Sequence, residues 1–352
     1  MLTSILLIFA GALVFAIGAT PVARWLAPHV GVIDHPSARK VHVRPMPRLG
    51  GAAIFLAFIL ALVVFENQYN FQQLAGILIG ATFVSFLGIW DDRWGLRPIL
   101  KLVGQILGAL ILVVAGVHTE LFPWPALDVA LTVLWVVGIT NSFNLLDNMD
   151  GLSGGVGAVA AVFFTLLAAM SRPPQVLVAA LSAALFGVCL GFLVYNFNPA
   201  TIFMGDAGAM FIGYTLAAVG IKLRFPSNIT FITWMIPVLV LGVPIFDTTL
   251  VFFSRLRRGL NPLTTPGKDH SSHRLVAMGF TQREAVLILY LIGGALGVLA
   301  MFLTQADVIE SYVIFTSVSV AGILGILRLE RPQLIPTKST PPAEVPGDAK
   351  PS

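Results

Sequence analysis

Two adjacent carboxylates, Asp91 and Asp92, follow the apolar run Gly88-Ile89-Trp90 and precede Arg93, Arg97 and Lys101. Side by side they repel each other unless a cation is shared or one of them holds a proton. The alternative is a solvated helix end with basic neighbours. A second group, Asn141, Asn144, Asp147 and Asp150, recurs in three-residue steps. On a continuous α-helix each such step lags a full turn by about 60°, so Asn144, Asp147 and Asp150 share one broad face, with Asn141 further round. Gly151, Gly154 and Gly155 follow, and they admit close approach of a phosphate or a ribose to the backbone.

Further groups lie on both sides of these. Asp206, in Phe203-Met204-Gly205-Asp206-Ala207-Gly208, is a hard-cation ligand at the mouth of an apolar segment, or else an N-cap for it. Asp247 falls inside an apolar segment, where an unpaired charge costs roughly 2.5 to 3.5 kcal/mol, so it should face a cavity or a shared cation. His270 and His273, with Lys268 and Arg274 alongside, suit anionic oxygens better than zinc, because no cysteine helps and the carboxylates nearby favour an oxygen-loving ion. The stretch from Asp34 to Gly51 carries His35, Arg39, Lys40, His42, Arg44 and Arg48 among three prolines. It reads as a shaped loop, or more plainly as an anchor on anionic lipid. Bare carboxylates repel phosphate, whereas carboxylates loaded with Mg²⁺ and rimmed by Arg, Lys and His bind it. Phosphoryl transfer asks mainly for such positioning and charge neutralisation.

A membrane must position these groups. Of 352 residues 57% are apolar and 11% charged, too few charges to cover a soluble domain. Eleven apolar segments can be placed: Ile5–Ala23, Gly51–Phe65, Leu74–Trp90, Ile99–Val117, Trp124–Ile139, Gly154–Met170, Val176–Val194, Ala207–Ile221, Phe231–Phe253, Ala285–Leu303 and Tyr312–Leu327. No Lys or Arg precedes the first, which reads as a retained span, with cleavage near Ala19 as the alternative. The expected fold is all-α: a polytopic integral membrane protein of about eleven transmembrane helices over residues 1–330, with its chemistry on cytoplasmic loops. Residues 331–352, rich in Pro, Thr, Lys and Glu, read as a disordered cytoplasmic tail.

With eleven spans, all but three of the 21 Lys and Arg residues fall on one side; the exceptions are Arg172, Lys222 and Arg224. The crowded side is then cytoplasmic and the N-terminus lies outside. The net charge of +4 therefore belongs to membrane loops and does not imply a nucleic-acid partner. The single cysteine, Cys189, excludes an intrachain disulfide and reads as packing.

Six stretches in order, DHPSARKVHVRPMPRLGG, GIWDDRWGLRPILK, NSFNLLDNMDGLSGG, FMGDAGAMFIGY, PIFDTTL and DHSSHRL, resemble the polyprenyl-phosphate N-acetylhexosamine-1-phosphate transferases from about Asp34 to Leu275. The resemblance implies a UDP-sugar donor, an undecaprenyl or decaprenyl phosphate acceptor, Mg²⁺ (or Mn²⁺) and release of UMP. It also implies catalysis at the cytoplasmic face of a bacterial-type plasma membrane. By likeness, Asp91 is the base, or a transient nucleophile, toward the lipid phosphate. Asp206 is the principal metal ligand, with Asp92 and Asp150 beside it. Asn144, Asp147 and Asp150 hold nucleotide and metal, His270, His273 and Arg274 hold the diphosphate and sugar, and Arg39, Lys40, Lys101 and Asn141 bind substrate. Membrane lipids and a second copy of the chain, as a homodimer, are the expected neighbours.

Many members carry H-x-H-H in the last stretch, where this chain has Ser272 in place of the middle histidine. PMPRLGG resembles the enzymes that start surface or wall glycans from UDP-GlcNAc more than those that start peptidoglycan from UDP-MurNAc-pentapeptide. An ion-coupled transporter is the reading from another class. Against it, the polar groups border one side and leave the middle of most spans bare.

Overall fold

The computed structural model describes residues 1–36, 45–64, 71–226, 228–262, 265 and 267–331. Arg39, Lys40 and the tail from residue 332 lie outside the described residues. Within them the helices are α1 (Leu2–His29), α2 (Gly50–Val64), α3 (Phe71–Trp94), α4 (Pro98–Val114), α5 (Pro125–Leu146), α6 (Leu152–Met170), α7 (Val176–Asn196), α8 (Gly205–Lys222), α9 (Thr230–Val240), α10 (Gly242–Arg257), α11 (Ser271–Ala277), α12 (Gln282–Leu303) and α13 (Val308–Leu329). Between α1 and α2, two-residue strands β1 (Ile33–Asp34) and β2 (Met46–Pro47) pair antiparallel, Ile33 opposite Pro47.

The chain is an all-helical, multi-pass membrane protein, and the eleven expected crossings are met in part. Each expected apolar segment lies on a helix, yet only seven helices among the described residues are long and apolar enough to cross a membrane: α1, α3, α5, α6, α7, α12 and α13. Counting α9 with α10 as one broken span gives eight. That pair, expected as one continuous segment, bends by 78° at Leu241. Pro237 within α9 removes a backbone donor just before the bend, which weakens the helix there. α2 and α4 are shorter, at 15 and 17 residues.

α8 is the centre of the bundle. From Ala207 to Ile221 every residue is buried, with α2, α3, α5, α6 and α7 packed around it. Small residues allow the close approach. A Cβ added to Gly51 would overlap the backbone of Gly208, and one added to Gly88 would overlap that of Ala207. Elsewhere large apolar side chains point outward, as on α13, where Ile309, Val313, Leu324 and Leu327 are exposed. In lipid that surface carries no cost, since the hydrocarbon tails are as apolar as the side chains.

Candidate active site

The mouth of α8 is built by three backbone hydrogen bonds between distant segments. The Phe203 N–H donates to the Pro47 carbonyl at 2.8 Å, Gly50 to Phe203 at 3.1 Å and Gly51 to Met204 at 2.8 Å. This stitching carries Arg48 to the start of α8. There Arg48 Nε lies 3.0 Å from Asp92 Oδ1 and its Nη2 lies 2.9 Å from Asp206 Oδ1. Burial opposes the guanidinium's charge, but the carboxylates of Asp92 and Asp206 hold its pKa above the ordinary arginine range.

Asp92 and Asp206 do different work. Asp92 has 1% side-chain exposure. Its Oδ1 accepts the Asp206 N–H at 2.9 Å and its Oδ2 the Ala207 N–H at 3.1 Å. It therefore caps α8 from the end of α3, satisfying donors that a helix start leaves orphaned. Gly205, at φ +72°, makes the turn that allows this, and a side chain there would meet the Asp92 carboxylate. Asp206, in the first turn, is instead gripped from two sides, by Arg48 and by Lys101.

Lys101 is the hub. Its Nζ lies 2.9 Å from Asp91 Oδ2 and donates to Asn144 Oδ1 at 2.9 Å as well as to Asp206. Three donors meet three acceptors, which saturates the ammonium. Asp91 Oδ1 also accepts the Leu96 N–H at 2.6 Å, which fixes its carboxylate.

The helical face expected for Asn144, Asp147 and Asp150 does not exist as such, because α5 ends at Leu146 and α6 begins at Leu152. Gly151, at φ +78°, is left-handed and separates the two helices. Asn141 is not free for substrate: it exchanges amide hydrogen bonds with Gln105 at 2.6 and 3.1 Å. Asp150 Oδ2 accepts from Asn198 Nδ2 at 3.1 Å and the Ala200 N–H at 3.0 Å, which ties it to the turn after α7. The Asp147 N–H closes α5 on the Phe143 carbonyl at 3.2 Å, while its carboxylate makes no hydrogen bond or ion pair among the described residues. Burial raises its pKa to about 7, with Asp206, Asp92 and Asp150 adding to the rise against the pull of Arg48.

The histidine loop is mostly scaffold. Asp247, expected to face a cavity, is wholly buried and holds the start of α11: it takes His270 Nδ1 at 2.8 Å and the Ser271 N–H and hydroxyl at 2.7 and 2.6 Å. Arg274, expected at the substrate, has 0% exposure. Its guanidinium donates to the Asp269 and Leu329 carbonyls and to Ser254 Oγ at 2.6 to 2.8 Å, and lies 2.7 Å from Glu330. It joins α11 to the end of α13. Asp269 receives a fork from Arg255 at 2.9 and 3.0 Å, plus Arg258. Burial pushes its pKa up, but Arg255 first, then His270 and Arg258, bring it down to about 2. Ser272 is buried and donates to Asn148 Oδ1 at 2.6 Å, clamping α11 onto the α5–α6 turn. His273, whose Nδ1 lies 3.5 Å from Ser272 Oγ, has its pKa lowered to about 4 by burial, then by His270 and Lys268, and is neutral at pH 7.

Four carboxylates near one another, Asp91, Asp92, Asp147 and Asp206, face two fixed cations, Arg48 and Lys101. Carboxylates outnumber these cations, and the donors are all hard oxygens, which fit Mg²⁺. Among the described residues no three of the His, Cys, Asp and Glu side chains are close enough together to hold a metal as they stand. The fit is therefore one of charge and donor type. Arg48, Gln105, Asn148, Asn198 and Ser272 were not expected as site residues. For Arg48 the signal was available, in its place between Pro47 and Gly50-Gly51.

Residues 74–224 match the family model described as glycosyl transferase family 4. The chain is 38% identical over 308 residues, covering 84% of both proteins, to a "Probable undecaprenyl-phosphate N-acetylglucosaminyl 1-phosphate transferase" of Bacillus subtilis (strain 168). It is 32% identical over 354 residues, 89% of this chain and 86% of the other, to a "Decaprenyl-phosphate N-acetylglucosaminephosphotransferase" of Mycobacterium tuberculosis (strain CDC 1551 / Oshkosh). Against the "Undecaprenyl-phosphate alpha-N-acetylglucosaminyl 1-phosphate transferase" of Yersinia pestis the identity is 26% over 344 residues. With relatives this similar along most of its length, the chain belongs to glycosyl transferase family 4.

Proposed function

We propose that this protein transfers N-acetylglucosamine-1-phosphate from UDP-GlcNAc to a polyprenyl phosphate, undecaprenyl or decaprenyl, and releases UMP. The observation that carries the reading is the convergence on Lys101 of Asp91, Asn144 and Asp206, which come from three separate motifs. The names of the relatives support the sugar and the lipid acceptor. The basic loops support a site on the cytoplasmic face of the plasma membrane.

In this reading Asp91 takes the proton from the lipid phosphate. The freed phosphate oxygen attacks the β-phosphorus of the donor, the bond from that phosphorus to the bridging oxygen breaks, and UMP leaves. Arg48 and Lys101 neutralise the diphosphate, positioning being the main demand of such transfers. His273, held neutral, donates or accepts one hydrogen bond at the sugar or the diphosphate. Mg²⁺, or Mn²⁺ in its place, would be held by Asp206 with Asp91 and Asp147, and would supply the missing positive charge. Asp92 is assigned to capping α8, where both its oxygens accept backbone N–H groups, and Asp150 to the turn after α7, which it holds through Oδ2.

The test is UMP release by the purified chain with undecaprenyl phosphate, Mg²⁺ and a panel of UDP-sugars. UDP-GlcNAc should be turned over, and EDTA should stop the reaction. Turnover with UDP-MurNAc-pentapeptide alone would reassign the donor, and no UMP from any donor with folded protein would remove the reading.

A further inference from the structure

At the far end of α8 the charge pattern reverses. α8 runs from Gly205 to Lys222, about 27 Å at 1.5 Å per residue, so its two ends lie roughly a hydrocarbon thickness apart. Around the Lys222 end is a cavity of about 700 Å³. Its walls include Arg172 from the α6–α7 connection, Lys222, and Arg224 just beyond α8. These are the three basic residues that the sequence separates from all others, and they meet in one cavity. No Asp or Glu lines it.

The cavity is built and not incidental. Gln175 Nε2 donates to the Arg224 carbonyl at 2.8 Å, and the Arg224 N–H donates back to Gln175 Oε1 at 2.8 Å. The Gln175 N–H donates to the Ala168 carbonyl at 3.0 Å. This bracket fixes the segments bearing Arg172 and Arg224 against each other. Arg224 has one counter-charge, Glu120 at 3.5 Å, itself 65% exposed. Lys222 is part-buried and shares the field of Glu120 with Arg224, and among the described residues neither it nor the exposed Arg172 has a direct ion pair or hydrogen bond from its side chain. A part-buried, unpaired ammonium is costly unless an anion joins it. Apolar side chains, Leu167, Met170, Leu177 and Met301, complete the walls beside the cations.

Cations on one side and apolar walls on the other fit an amphiphile with a phosphate head. We propose that this cavity binds the phosphate headgroup of an anionic lipid from the leaflet opposite the carboxylate site, with a chain of that lipid lying on the apolar wall. The same cations would also accept free phosphate, so the experiment must separate the two sources.

Full-length protein in detergent is titrated with phosphatidylglycerol, phosphatidylcholine or inorganic phosphate, and bound lipid is counted by native mass spectrometry alongside thermal protection. Phosphatidylglycerol is expected to bind in preference to phosphatidylcholine. Arg172→Gln with Lys222→Gln should weaken it roughly tenfold or more, each lost charge near a lipid surface counting severalfold. Lys222→Arg should bind as the wild type does, which separates loss of charge from loss of folding. Equal binding of the two lipids, or indifference to the double substitution, would overturn the site. Protection by inorganic phosphate with no advantage for phosphatidylglycerol would assign a soluble anion and overturn the lipid.

Discussion

The mouth of α8 and the histidine loop at α11 are equally dense in charged residues, and they spend them in opposite ways. At α11 nearly every group is closed off: Asp269 is forked by Arg255, Asp247 holds His270 and Ser271, and Arg274 is buried among carbonyls and Glu330. At α8 the balance is left open, with more carboxylates than cations and with the Asp147 carboxylate outside any hydrogen bond among the described residues. Motif content does not separate chemistry from scaffold. The balance of charge does, because at α11 each ion has a fixed counter-ion, whereas at α8 the carboxylates outnumber the cations and can be met by a cation brought in with substrate.

The contrast can be broken most sharply at Asp206. Asp206→Asn should lower transfer by roughly 10³-fold or more, as expected when a group meeting the transferred phosphate's charge is lost. The protein should keep its wild-type elution in detergent, and near-normal UMP release would return Asp206 to the scaffold. Arg274→Leu tests the other side of the comparison. Removing a buried charge that has partners on all sides should cost roughly 3 to 5 kcal/mol of stability, read as a lowered Tm. The molecules that stay folded should keep kcat within about twofold. A raised KM at unchanged Tm would place Arg274 at the substrate after all.

A smaller effect follows from pH. The Asp269 carboxyl, near 3.8 when free, is held at about 2 in the fold by Arg255 and its neighbours. Since the folded value is the lower one, the stability it contributes is present above pH 4 and lost as pH falls toward 2, about 2 kcal/mol in all. Thermal unfolding followed between pH 5 and 2 should show that loss, and Asp269→Asn should flatten it while lowering stability at neutral pH. Least of all, Ser272→Ala removes the clamp on Asn148 and should cost about 1 kcal/mol, or roughly fivefold in kcat/KM, with Tm little changed. An unaltered kcat/KM would show that the α5–α6 turn holds itself.

Much of this fold was legible because lipid demands so much of a sequence. Apolar runs located the helices, and Arg172, Lys222 and Arg224, set apart from the other basic residues by their place in the sequence, line one cavity. The break between α9 and α10 was missed, since an apolar run reads the same whether it is straight or bent. At the site, the motif residues Asp91, Lys101, Asn144 and Asp206 do meet. What composition could not convey was allocation. Asp92 and Asp206 look alike in sequence, yet one caps a helix and the other is held between two cations. Asn141 differs from Asn144 only in having Gln105 opposite it.

The enclosure of α8 bears on how the chain is made. This helix is absent from the set apolar enough to enter lipid by its own composition, and it carries Asp206 at one end and Lys222 at the other. The helices that pack most heavily upon it, α2, α3, α5, α6 and α7, all precede it in the chain. During synthesis its protein socket is therefore already complete when α8 emerges, and the insertion machinery hands over a segment that partitions into neighbours and not into bilayer.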